Sequence, residues 1–187
     1  MDEGLGRILV DLARKSIEQG LAGNRFDDAA LAGLPKDLDR PGAVFVTLKK
    51  KGDLRGCIGS PLAWRPLGQD VVENAYKAAF EDPRFPPLAE SEWKDVDLSV
   101  SVLTPPKPMS FKDEADLLSQ LRPGIDGLII EDGGRRALFL PSVWESLSDP
   151  KTFLVHLKVK AGLPSAHWSP HFKANRFEAV EVEAGKE

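Results

Sequence analysis

Between Asp95 and Leu103 the chain alternates strictly: Val96, Leu98, Val100 and Val102 are apolar, and Asp97, Ser99 and Ser101 between them are polar. A period of two puts each set on its own face of a β-strand, so this segment needs an apolar cover on one side only. Pro105-Pro106 ends it. Val44, Val46 and Leu48 alternate in the same way and run into the polar turn Lys49 to Asp53. Leu54 to Gly59 then returns, antiparallel to the first strand. Gly127 to Glu131 and Arg136 to Leu140 flank Asp132-Gly133-Gly134-Arg135, a hairpin signal. Val180 and Val182, set against Glu181 and Glu183, predict an edge strand at the tail.

Helices fall between these strands. Leu5, Ile8, Leu9, Leu12, Ser16 and Ile17 recur at helical spacing up to Gly20, which reads as a stop. Residues 21–41 read as a loop-rich connection. Pro66 opens a second helix through Leu67, Val71, Val72, Ala75 and Ala79, and Pro83 ends it near Asp82. Ser110 to Asp113 resembles a capping box ahead of Leu117, Leu118 and Leu121. Asp149 caps a last helix with Pro150 at its first position, and Gly162-Leu163-Pro164 closes it. Hairpin-joined strands with interspersed helices, and no regular βαβ series, predict an α+β fold with an antiparallel or mixed sheet flanked by helices.

A length of 187 residues suits a single domain over 1–187, with its core at about 5–183. The net charge of −4 argues against nucleic-acid binding by bulk electrostatics. One cysteine permits no intrachain disulfide and points to the cytoplasm. Met1-Asp2-Glu3-Gly4 lacks the basic and apolar regions of a signal peptide, and no apolar run reaches the ~18 residues of a membrane span. No dinucleotide, Walker, HExxH, GxSxG or CxxC pattern occurs, and no cofactor is indicated.

The chemically richest segment is Leu54 to Ser60. Strand alternation predicts Leu54 and Ile58 on the core face, with Arg55 and Cys57 together on the other. A guanidinium there would favour the thiolate, which is both nucleophile and metal ligand. Gly56 and Gly59 would let a ligand or another backbone approach. The plainer alternative makes Cys57 a small packing residue and the glycines a bend. Asp82 and Arg84 sit on the proline-rich loop 81–87, where they could hold a polar ligand or merely fix the turn. His156 reads as a solvated helix flank. His167 and His171 have the spacing of a metal pair, but Pro170 breaks the helix that would carry them, so no metal site and no structural zinc is expected. Lys49 to Lys51 reads as a solvated hairpin tip.

Leu54-Arg55-Gly56-Cys57-Ile58-Gly59 resembles the signature hexapeptide of the AMMECR family, named for the human Alport syndrome, mental retardation, midface hypoplasia and elliptocytosis chromosomal region. Further matching segments are Arg65-Pro66-Leu67, Glu73-Asn74-Ala75, Asp82 to Leu88, Ser101 to Thr104, Asp126 to Glu131, Leu140-Pro141 and Lys160 to Pro164, so the resemblance spans residues 5–180. It implies an α+β domain in two lobes, with the hexapeptide near a cleft between them. Bacterial and archaeal members are similar to protein A of the AmmeMemoRadiSam system, which implies a Memo-like protein and a radical SAM protein as partners. Arg135-Arg136-Ala137 and Lys158 depart from the family pattern, the latter standing where many members carry a second cysteine.

One functional reading is an enzyme or enzyme component acting on a small polar substrate. Cys57 would be nucleophile or redox thiol, Arg55 its activator and Asp82 its base or orienter, with Arg84, Gly56, Gly59 and Ser60 binding the ligand. Its rival is a non-catalytic module that binds a ligand or docks a partner through the same cleft. A third is a subunit that assists assembly of a Memo-like or radical SAM protein.

Overall fold

A computed structural model of the chain describes residues 1–185. Helix α1 (Glu3–Leu21) is followed by two short 3-10 turns, Asp28–Leu31 and Lys36–Asp39. Then come β1 (Pro41–Gly42), β2 (Val44–Lys50), β3 (Asp53–Gly59), β4 (Arg65–Pro66), α2 (Leu67–Phe80), α3 (Glu90–Trp93) and β5 (Val96–Leu103). The chain continues through β6 (Lys107–Pro108), α4 (Glu114–Gln120), β7 (Gly127–Asp132), β8 (Arg135–Phe139), a 3-10 turn at Pro141–Glu145 and α5 (Pro150–Lys160). It closes with β9 (Lys173–Phe177) and β10 (Ala179–Glu183).

These elements form two compact units, one of residues 1–103 with the strand that returns at Val180, the other Thr104–Ala179. The first holds a four-stranded sheet in the order β10-β5-β2-β3, and the second a sheet in the order β6-β9-β7-β8. β2 pairs antiparallel with both β3 and β5, and β7 does so with both β8 and β9. The architecture is α+β with open antiparallel sheets.

In the first unit α1 and α2 cover one sheet face. Leu9, Ala13 and Ile17 of α1 and Val71 and Ala75 of α2 pack on Val44, Val46, Leu48 and Val100, all fully buried. That matches the apolar half of each alternating pattern. Gly20 is no stop: it lies within α1, and a Cβ there would stand 2.2 Å from the Phe80 ring of α2. The predicted polar face of β5 is only partly wet, since Ser99 is 9% and Ser101 6% exposed. β10 is the expected edge strand.

In the second unit, Gly133 and Gly134 have φ of 58° and 76°, the left-handed pair that a tight two-residue hairpin needs. The β7–β8 hairpin and α5 pack their apolar sides around Phe153, Leu154, Leu157 and Trp144. Asp149 caps α5 by accepting the Thr152 N–H at 3.0 Å. α4 starts later than predicted: its cap is Asp113, which accepts the Asp116 N–H at 2.8 Å, and not Ser110. The ends of this unit are clasped together. Thr104 N–H donates to the Glu178 carbonyl and Glu178 N–H to the Thr104 hydroxyl, both at 2.8 Å. No helix among the described residues is long and apolar enough to cross a membrane.

Candidate functional site on β3

β3 is the edge strand of the first sheet, so every second residue turns its backbone N–H and C=O away from β2. At Cys57 both groups are occupied. Its N–H donates to Asp82 Oδ2 at 3.0 Å, and its carbonyl accepts from Arg84 Nη2 at 3.2 Å. Asp82 and Arg84 also bind each other, with Nη2 to Oδ2 at 2.8 Å and Nε to Oδ1 at 3.0 Å. The ion pair thus stands in for a neighbouring strand. Pro83 and the turn from Phe85 N–H back to the Asp82 carbonyl at 3.1 Å hold the loop in place. The Arg84 hydrogen bonds, helped by the Cys57 N–H, hold the Asp82 carboxyl down to about 2 against desolvation. Asp82 is therefore a fixed anion at neutral pH and a weak base.

The Cys57 side chain lies opposite Thr47 and is half-buried, with Sγ 3.3 Å from Thr47 Oγ1. Sequence and structure bring Cys57, Asp82 and Arg84 together, but the carboxylate and guanidinium meet the cysteine's backbone.

The expected register fails at Arg55. Leu48 pairs with Gly56 but Lys49 with Leu54, so Arg55 is the extra residue of a β-bulge. The bulge reverses alternation on its far side. Leu54, opposite Lys49, shares the face of Cys57 and is 41% exposed, while Ile58, opposite Val46, packs on the core. Arg55 is 7% exposed and is held by Glu92. Nε donates to Oε1 and Nη2 to Oε2, each at 3.1 Å, and Nη2 also reaches the Pro86 carbonyl at 2.9 Å. Lys50 adds a bond to Glu92 Oε1 at 3.0 Å, so it does more than solvate a hairpin tip. Arg55 first, then the Ala89 N–H and Lys50, hold the Glu92 carboxyl down to about 2. With its charge neutralised this closely, Arg55 is a poor activator of any thiol.

The glycines and Ser60 turn out to serve packing. A Cβ on Gly56 would lie 2.1 Å from the Ala78 carbonyl oxygen of α2, and one on Gly59 2.2 Å from the Phe45 ring. They admit protein, and no ligand is needed to explain them. Ser60 is buried, and its hydroxyl donates to Asp70 Oδ1 at 2.7 Å while accepting from Asn74 Nδ2 at 3.2 Å. Asp70 is fully buried and also accepts Arg65 Nε at 2.7 Å and the Val44 N–H at 2.9 Å. This network escaped the sequence reading, although an acid on the apolar side of a helix start was a usable signal. Nothing in the sequence marked Thr47 or Glu92.

The histidines lie elsewhere. His156 is exposed on α5, and His167 and His171 sit in an irregular segment. His167 Nε2 and Ser169 Oγ both bind Asp132 Oδ2 at 2.6 Å, so Ser169 points at the acid and not at the imidazole. Lys158 is fully buried, bound to Glu114 Oε1 at 3.1 Å with the Trp168 ring 5.7 Å away.

Residues 10–182, which include the β3 edge and both units, match the AMMECR1 family. The chain belongs to the AMMECR1 family. A Methanothermobacter thermautotrophicus protein is 44% identical over 180 residues, covering 93% of this chain and 91% of the relative. One from Thermofilum pendens is 37% identical, covering 93% and 87%. The crystal structure of an uncharacterised Pyrococcus horikoshii protein superimposes with a TM-score of 0.91 at 34% identity, over 98% of this chain and 93% of that one. The AMMECR1 resemblance read from the hexapeptide therefore holds across the chain, and with it the α+β fold.

Proposed function

We propose that this AMMECR1-family protein is a non-catalytic binding module whose recognition face is the side of the first sheet that carries Cys57. The observation that carries this reading is that the charged groups a thiol enzyme would use are already paired with opposite charges. Arg55 is neutralised by Glu92, and Asp82 is neutralised by Arg84 with its carboxyl held at about 2. A nucleophilic cysteine needs a base or an unpaired cation beside its sulfur. Sγ shares a hydrogen bond with the Thr47 hydroxyl, and Arg84, whose charge is felt at Cys57, is already paired with Asp82. On this reading Memo-like and radical SAM proteins are docking partners and the single cysteine suits the reducing cytoplasm.

The test is the rate of Cys57 alkylation by iodoacetamide at neutral pH in the folded protein. A rate no faster than that of glutathione supports the binding module. A rate more than about tenfold faster, the mark of a low-pKa thiolate, returns the protein to the thiol enzymes.

A further inference from the structure

Arg55 and Arg84 are held in the same way. A guanidinium offers five N–H groups in a planar fork. Arg55 turns Nε and one Nη2 hydrogen to Glu92, and the other Nη2 hydrogen to the Pro86 carbonyl. Arg84 does likewise, with Nε and Nη2 on Asp82 and Nη2 also on the Cys57 carbonyl. In each, the hydrogens left over are those of Nη1, on the edge of the fork turned away from the carboxylate. At Arg84, whose side chain is 52% exposed, solvent takes them. At Arg55 it cannot: the side chain is 9% exposed, and Nη1 is buried with no hydrogen-bond partner among the described residues. A dry, unpaired donor on a cation is costly and calls for an acceptor. Both guanidiniums also lie over one ring, that of Phe85, with Cζ 5.8 and 5.5 Å from its centre. That ring is half-buried, between the exposed Arg84 and Pro86. Glu92 serves Lys50 as well as Arg55, and Asp82 serves Arg84, so three cations share two carboxylates.

We propose that the two arginines at Phe85 form a binding site for an oxyanion, the carboxylate or phosphate group of a small ligand. The group accepts from Nη1 of Arg84 at the surface and, as the Phe85 ring turns aside, from the buried Nη1 of Arg55. Arginine forks match both kinds of oxyanion, and hydrogen bonds between charged partners are about twice as strong as neutral ones. Glu92 and Asp82 fix the opposite edges of the two forks, which sets the guanidiniums in place before a ligand arrives and lowers the entropy lost on binding. The site lies at the outer edge of β3 and is independent of whether the Cys57 thiol reacts.

The probes are millimolar sodium phosphate and sodium acetate, with sodium chloride at equal ionic strength as the blank. They are added to the full chain while the arginine side-chain N–H signals are followed by NMR. At least one oxyanion should shift the Nη signals of Arg55 and Arg84 saturably, and chloride should not. A response to phosphate alone assigns the site to phosphate esters, one to acetate alone to carboxylates, and one to both to the oxyanion class as a whole. Arg84→Gln should weaken binding about tenfold, through the loss of one charge-assisted partner. Phe85→Ala, which removes the cover, should leave binding intact or tighten it. The proposal is overturned if neither oxyanion shifts the Arg55 signals beyond chloride, which would leave Nη1 to a structural water. It is equally overturned if Arg84→Gln binds as tightly as the wild type, or if Phe85→Ala, folded by circular dichroism, loses binding. Slow alkylation of Cys57 without oxyanion binding removes this inference alone. Fast alkylation with oxyanion binding removes the non-catalytic reading alone.

Discussion

Where β3 ends, Ser60 hands its hydroxyl to Asp70, an acid with no exposed surface that four polar groups of three chain segments converge upon or brace. Three residues earlier, at Cys57, the same strand meets Asp82, another buried acid, but one whose partner Arg84 has a side chain 52% exposed. Both carboxylates satisfy backbone N–H groups of the sheet, at Val44 and at Cys57. The first is sealed in protein and holds the strand to the helix layer. The second is a brace with one side in solvent, where charge is screened and partners can exchange with water. A carboxylate's contribution to the fold is set by how dry its partner is.

Asp70→Ala should break this comparison most severely. It strands Arg65, Ser60 and the Val44 N–H in a dry site, and a loss of about 3–5 kcal/mol in denaturant unfolding is expected. Gly56→Ala comes next at about 2–3 kcal/mol, because its methyl group would have to displace backbone of α2. Asp82→Asn should cost about 1 kcal/mol, discounted for the exposure of Arg84. Its signature is in the pH dependence. The folded carboxyl, at about 2, lies below the ordinary 3.8, so the brace contributes fully above pH 4 and is lost as pH falls towards 2. The wild-type advantage over Asp82→Asn should shrink across that window in acid titrations followed by circular dichroism. An unchanged difference would show that the brace does not depend on the Asp82 charge. Smallest of all, Cys57→Ser should shift stability by within about 0.5 kcal/mol, since its site is half-buried beside a hydroxyl. A loss of several kcal/mol would mean that this end of β3 is as dry as the other.

The elements with long periodic signals were legible: α1, β2, β5, the β7–β8 hairpin and α5 with its Asp149 cap all stand where Leu, Val, Gly and Asp spacing put them. The two-residue strands β1, β4 and β6 are too short to carry a period, and β9, with Lys173, Asn175 and Arg176 around Ala174, has no strand-like alternation to read. The hexapeptide was legible as a strand, its register was not. A bulge at Arg55 is decided by Glu92, 37 residues away, and local spacing cannot register so distant a partner. Asp82 and Arg84 were found because acids and an arginine on a proline-locked loop announce themselves; their target, a strand's backbone, left no mark on the sequence.

The clasp between Thr104 and Glu178 has a consequence for the order in which the protein is made. The first unit cannot complete its sheet until β10 leaves the ribosome, after the whole of Thr104–Ala179. Left open, that insertion would be a long loop whose closure opposes the β5–β10 pairing, a penalty that grows with the logarithm of length. Once the second unit folds and clasps its own ends, the returning strand is delivered beside β5 as if by a tight turn. The inserted unit then acts as an assembly jig for the sheet it interrupts.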